Sequence, residues 1–273
     1  MPSDSPLSRL RTALRGSYDA ATPPDPGTLC PRLALGPEAA DQMLGGGLRI
    51  DGLHEIHAAG KGDTPAALGF ALLIAHLRCG ADGRPIVWAR ERRGAASRIR
   101  PYGPGLADLG IDPAAIALLH LPDGRAVLRA GLDAVRDGSA SAVLIDVQGR
   151  QPLLDLTATR RLTLAAAETD TTALIVRDHA APNPSAAHTR WHVAAAPSAA
   201  LEADAPGAPA FALTLTRQRG GREGARFLLE WNRDTGCFID RPDRPRPATL
   251  PLSGAVAAPA TGRTGTTRRD RAA

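Results

Sequence analysis

The residues best placed to do chemistry lie in one stretch. Gly45-Gly46-Gly47 precedes Gly52-Leu-His-Glu-Ile56, and then comes His57-Ala-Ala-Gly60-Lys61-Gly62-Asp63-Thr64-Pro65. Gly60, Lys61 and Thr64 are the residue types of a phosphate cradle. Such a cradle has backbone N–H groups around the phosphates, a lysine on the terminal phosphates and a hydroxyl on magnesium. The arrangement differs from the working pattern G-x-x-x-x-G-K-[ST]. Gly62 follows Lys61 where a hydroxyl is required, and no glycine stands at the earlier required position. Asp146 closes the apolar run 141–146, an acid at a strand end of a kind common in α/β folds. Other polar groupings carry less. Asp178, His179 and His188 flank a Pro- and Ala-rich loop with no helical spacing between the histidines, and they read as a polar loop. Arg90, Arg92, Arg93, Arg98 and Arg100 form the densest basic run, which suits a solvated loop or an anionic or protein partner.

These residues need strands and helices to position them. Short apolar runs at 53–57, 85–89, 117–121, 141–146 and 171–176 alternate with helical patterns at 66–78, 124–137 and 154–169. That alternation predicts a mostly parallel sheet covered by helices on both faces. Thr64 is expected to cap the first long helix with Pro65 in its first turn, and Gly80 to end it; Asp123 and Gly138 should bound the second. Residues 189–194, 211–217 and 226–231 read as strands, the last two with Gly220-Gly221 and Gly224 between them, which predicts an antiparallel hairpin extending the sheet. Three segments follow: an amphipathic helix and linker over 1–31, a core domain over 32–240, and an Arg/Pro/Thr-rich tail over 241–273 with too little apolar content to fold.

Composition sets the outer bounds. The 273 residues are enough for a full core, with a net charge of +5, and Lys61 is the sole lysine. The charge permits an acidic partner such as nucleic acid without requiring one. Cys30, Cys79 and Cys237 lie far apart and have no metal-ligand spacing. No uninterrupted apolar run reaches membrane-spanning length. The expectation is a cytoplasmic protein with no metal and no membrane.

The order of elements resembles the RecA-type ATPase core, and the chain is more specifically similar to the ImuA family. The segments carrying the resemblance are Gly52-Leu-His-Glu-Ile56, Thr189-Arg-Trp191-His-Val-Ala, and 213–238 with Trp231 and Phe238. The RecA likeness implies a nucleotide site. Matched without gaps, it puts Thr64 at the lysine position, Pro65 at the magnesium-ligand position and Asp63 beside the phosphates. Asp146 takes the Walker B position, Arg90 that of the water-activating glutamate and Asp178 that of the glutamine sensing the γ-phosphate. Gly60, Lys61, Thr64 and Asp146 are therefore expected to be a vestigial nucleotide site with no cofactor, although Lys61 leaves weak ATP binding open.

The ImuA likeness implies a non-catalytic accessory factor of SOS-induced translesion synthesis. Its expected partners are an ImuB-type Y-family-like protein, an error-prone DnaE-type polymerase and RecA, with any DNA contact indirect. Arg263, Arg268, Arg269 and Arg271 in the tail are the candidate partner contacts. The alternatives from the same fold family are a DNA-dependent ATPase or recombinase mediator, and a SulA-like inhibitor of cell division.

Overall fold

The computed structural model describes residues 31–92, 101–149, 151–178, 183–198 and 207–241. The expected N-terminal helix, the tail with its four candidate arginines, His179, and Arg93, Arg98 and Arg100 lie outside the described residues.

A two-stranded antiparallel ribbon, β1 (Arg32–Leu33) with β2 (Leu48–Arg49), brackets the short helix α1 (Glu38–Met43). The main sheet starts with β3 (Leu53–Ala58) and continues, in chain order, through α2 (Thr64–Asp82), β4 (Ile86–Glu91) and α3 (Gly103–Asp108). Next come β5 (Ile116–Leu121), α4 (Gly124–Asp137), β6 (Ala142–Val147), α5 (Leu156–Thr169) and β7 (Thr172–Arg177). β8 (Thr189–Ala196), β9 (Ala210–Gln218), β10 (Ala225–Asn232) and β11 (Cys237–Asp240) complete it. The spatial order is β11-β10-β9-β8-β3-β7-β6-β4-β5. The six strands from β8 to β5 are parallel and the last three are antiparallel additions. The α/β fold with a mostly parallel sheet stands, and the expected hairpin is extended by β11, four residues that follow a turn at Gly236.

β3, β6 and β7 are buried along their whole length. Successive side chains on a strand point to opposite faces, so each of these strands feeds two cores. On one face Ile56, Leu144 and Leu174 pack against α2 together with Phe70, Trp191, Phe211, Trp231 and Phe238. On the other, Val143, Ile145, Ala173 and Ile175 pack with Val127 and Val135 of α4 and Leu162 and Ala166 of α5. By length and composition alone α2 is apolar enough to cross a membrane; here it buries Phe70, Leu73 and Ile74 in the first core.

The helix ends differ from expectation in two places. Asp63, not Thr64, is the residue before α2, and the helix runs through Gly80 to Asp82, where Gly83 in the left-handed region ends it. A Cβ at Gly80 would meet nothing within 4 Å, so nothing packed against that position requires a glycine. Asp123 and Gly138 bound α4 as expected, with the Asp123 carboxylate accepting the Ala126 N–H.

The pairing of β3 with β8 is the most specific in the sheet. Its register sets His54 against Thr189, Glu55 against Arg190, Ile56 against Trp191, His57 against His192 and Ala58 against Val193. Polar residues meet polar ones and apolar meet apolar. The Trp191 indole N–H donates to the Thr189 hydroxyl, which can donate in turn to His54 Nδ1, while His54 Nε2–H donates to the Arg49 carbonyl. The Glu55 carboxylate accepts from Arg190 Nε at 2.6 Å and is 4% exposed. Gly52 just before β3 explains its own identity, since a Cβ there would lie 2.7 Å from the His188 ring.

Two predictions follow from this strand pair. Removing one partner of a buried ion pair strands the other charge, so Arg190→Leu is expected to lower the unfolding free energy by about 3 kcal/mol, read as the urea midpoint at pH 7.5. The second concerns pH. Burial, above all, lowers the His54 pKa from 6.5 to about 4 and that of His188 to about 3. Both rings are thus neutral when folded and bind protons more readily when unfolded. Their contribution is complete above pH 6.5 and is lost as pH falls through 4, at up to about 1.4 kcal/mol per pH unit for each ring. Urea midpoints should be level from pH 8 to 7 and fall between pH 6.5 and 4, and His54→Gln should make that fall shallower.

Candidate functional site

Only residues 59–63 separate β3 from α2. The Asp63 N–H donates back to the Gly60 carbonyl at 3.0 Å and the Ala59 N–H to the Val193 carbonyl at 2.9 Å. The connection is therefore a tight turn braced on β8. Among the described residues, those with positive φ all lie elsewhere in the chain. Successive N–H groups curve into an anion nest where right- and left-handed residues alternate, and this turn has no left-handed member. The carboxylate of Asp63 accepts the Ala195 N–H of β8 at 3.0 Å and makes no bond to the start of α2. The acid of this turn is thus tied to β8, and Pro65 in the first turn of α2 has neither hydroxyl nor N–H.

Gly60, Lys61 and Thr64 are brought together in this turn, with Lys61 exposed and Thr64 half-buried as the first helical residue. Asp146 is level with Val176 of β7, which is level with Ile56 of β3. It lies two strands across, about 10 Å. It is 3% exposed, and its carboxylate lies 3.6 Å from Arg90 Nε, whose guanidinium stacks over the Trp88 ring. Burial raises the Asp146 pKa, and the Arg90 charge opposes that shift. The neighbouring Glu91 is also raised, by burial and then by Asp146, and it accepts from Gln151 at 3.3 Å. Arg90, at the position of the water-activating glutamate, therefore sets a fixed cation beside the acid. Asp178 caps the turn after β6, accepting the Gly149 N–H at 2.9 Å. The residues a bound nucleotide and magnesium would need do not fit that group.

Asp178 and His188 are far apart along the sheet. The first follows β7 at its C-terminal end; the second precedes β8 next to His54, with ring centroids 6.4 Å apart. No group of three or more potential ligands that could hold a metal occurs among the described residues.

A second charged assembly went unread in the sequence. Glu55 and His57 of β3, Arg177 of β7 and Arg190 and His192 of β8 lie together across three adjacent strands, Glu55 level with Arg190 near the start of β8 and His57 level with Arg177 and His192. Glu55 ion-pairs with Arg190 and lies 3.6 Å from His57 Nε2. Desolvation would raise its pKa, but His57, Arg190 and Ser185 outweigh that and hold it down at about 2. Arg190 also donates to the Asn183 carbonyl at 2.7 Å, and Arg177 to the Gly149 carbonyl at 3.2 Å. The available signal was three polar residues, His54, Glu55 and His57, within the six of β3. The assembly ties β3 to both neighbours and to the loop before β8, and its acid is already satisfied.

No family model matches the chain. It is 30% identical over 215 residues to Protein ImuA of Caulobacter vibrioides strain NA1000 / CB15N, across 74% of this chain and 84% of that protein. Protein ImuA of Caulobacter vibrioides strain ATCC 19089 / CIP 103742 / CB 15 matches to the same extent. With a RecA-like sheet beneath it and a likeness of that extent above it, the chain belongs to the ImuA family.

Proposed function

We propose that this chain is a non-catalytic, RecA-like accessory factor of damage-inducible, error-prone translesion synthesis that works by docking proteins. Membership of the ImuA family supports a role in damage-inducible mutagenesis. The observation that carries the non-catalytic reading is the turn between β3 and α2. It has no left-handed residue, its acid is tied to the Ala195 N–H, and Pro65 follows where a magnesium ligand would stand. Each feature raises the cost of holding a triphosphate. A phosphate transfer needs donors fixed around the charge before reaction, and this turn holds a carboxylate there instead. The Arg90–Asp146 contact supports the same reading, because a guanidinium already neutralises the acid that would hold the metal.

The partners we propose are the ImuB-type protein and the DnaE-type polymerase, with RecA as a third. Arginine guanidiniums suit carboxylates on a partner, and the tail arginines Arg263, Arg268, Arg269 and Arg271 are the proposed contacts. The test is co-purification of the ImuB-type protein with the full chain and with a chain ending at Arg241. The expected result is retention by the full chain and at least an approximately tenfold loss on truncation, an equilibrium change of about 1.4 kcal/mol, with the urea midpoint of the core unchanged. Equal retention by both chains would remove the tail from the account. Failure of the full chain to retain the ImuB-type protein would contradict the docking reading itself.

A further inference from the structure

The hairpin joining β9 to β10 is the most concentrated cationic feature among the described residues. Residues 217–226 read Arg-Gln-Arg-Gly-Gly-Arg-Glu-Gly-Ala-Arg, four arginines against one acid. Arg219, Arg222 and Arg226 are exposed. The ion pairs among the described residues engage other cations, and none uses these three.

The base of the hairpin is fixed. Arg190 pairs with Arg217 and Trp191 with Leu215, leaving Thr216 as an extra residue in β9. Such a bulge reverses the side to which the following residues point. Arg217 accordingly leaves the face of Leu215 and donates to the Ser185 carbonyl. Gln218 Nε2 donates to the Met43 carbonyl at 3.2 Å, and the Gly224 N–H donates to the Leu215 carbonyl at 2.7 Å. Beyond these anchors the tip holds Arg219, Gly220, Gly221, Arg222 and Glu223, all exposed and none apolar. Arg49 lies at the same end, since its carbonyl accepts from His54, whose ring is 6.4 Å from that of His188, and the Arg219 N–H donates to the His188 carbonyl at 2.8 Å. This is the end of the sheet where β3 begins, opposite the turn discussed above.

A protein-docking surface is built around buried aromatic or aliphatic anchors, and the tip has none. Arginine forks with small residues between them suit phosphate oxygens. We propose that the β9–β10 hairpin is a sequence-independent contact for the phosphodiester backbone of nucleic acid, made by Arg219, Arg222 and Arg226. The contact needs no nucleotide and no docked partner, so its failure would leave the docking reading intact.

The test is fluorescence anisotropy of a labelled oligo-dT strand, and of a labelled duplex, with the full chain across a salt series. The variants are Arg219→Glu/Arg222→Glu and the charge-removing Arg219→Gln/Arg222→Gln. A surface control is Arg125→Glu/Arg136→Glu on α4, and a chain ending at Arg241 isolates the tail. Both hairpin variants should bind about tenfold more weakly than the parent, with the single-strand salt slope reduced by about 1.4 for two lost contacts. Their urea midpoints should match the parent, and the α4 control and truncated chain should keep most of the binding. The ratio of strand to duplex affinity identifies which nucleic acid the hairpin serves. Parental affinity in both hairpin variants, no binding by the parent at low salt, or loss of all binding on truncation would each overturn the proposal.

Discussion

The ion pair between Glu55 and Arg190 constrains everything around it. β3 is central, buried on both faces, and yet carries His54, Glu55 and His57. A carboxylate in that position is tolerable only if paired and hydrogen-bonded. Arg190 on β8 supplies the pair at 2.6 Å, and the residues either side fall into matching register. A slip of one residue would set Glu55 against Trp191 or Thr189 and turn the alternation over. The pair therefore fixes where β8 lies, and β8 fixes the antiparallel strands beyond it.

The same pairing shapes the turn at the top of β3. With β8 held in register, the Val193 carbonyl takes the Ala59 N–H, and the Ala195 N–H is presented to Asp63. The turn is drawn toward β8 and closed by the Asp63–Gly60 bond. Across the sheet, the acid on β6 lies against an arginine on β4. Strand, turn, helix start and acid are all present, with the acid of the turn bonded to the Ala195 N–H and the acid on β6 against Arg90.

Much of this architecture was legible in the sequence. Alternating apolar runs and helical spacing gave the parallel sheet, and Asp123 and Gly138 marked α4 as expected. The absence of a hydroxyl after Lys61 and the presence of Pro65 were visible as residue types. What could not be read were contacts between distant residues. Asp63 finds Ala195, 132 positions away, and Glu55 finds Arg190, 135 away. Such bonds depend on strand order, which periodicity does not encode. β11 was missed because four residues are too few to show a period. Residues 218–225 read as a turn between strands ending at Arg217 and starting at Arg226, and the charge of the whole stretch gained meaning only once the bulge and the anchors showed which residues face outward.

The central claim is that this RecA-like core no longer handles nucleotide. The direct measurement is release of inorganic phosphate from ATP and magnesium by the full chain, with and without single-stranded DNA, beside the Lys61→Ala variant. The account predicts the same background rate in all four conditions. A rate above background that DNA stimulates and that Lys61→Ala abolishes would contradict it.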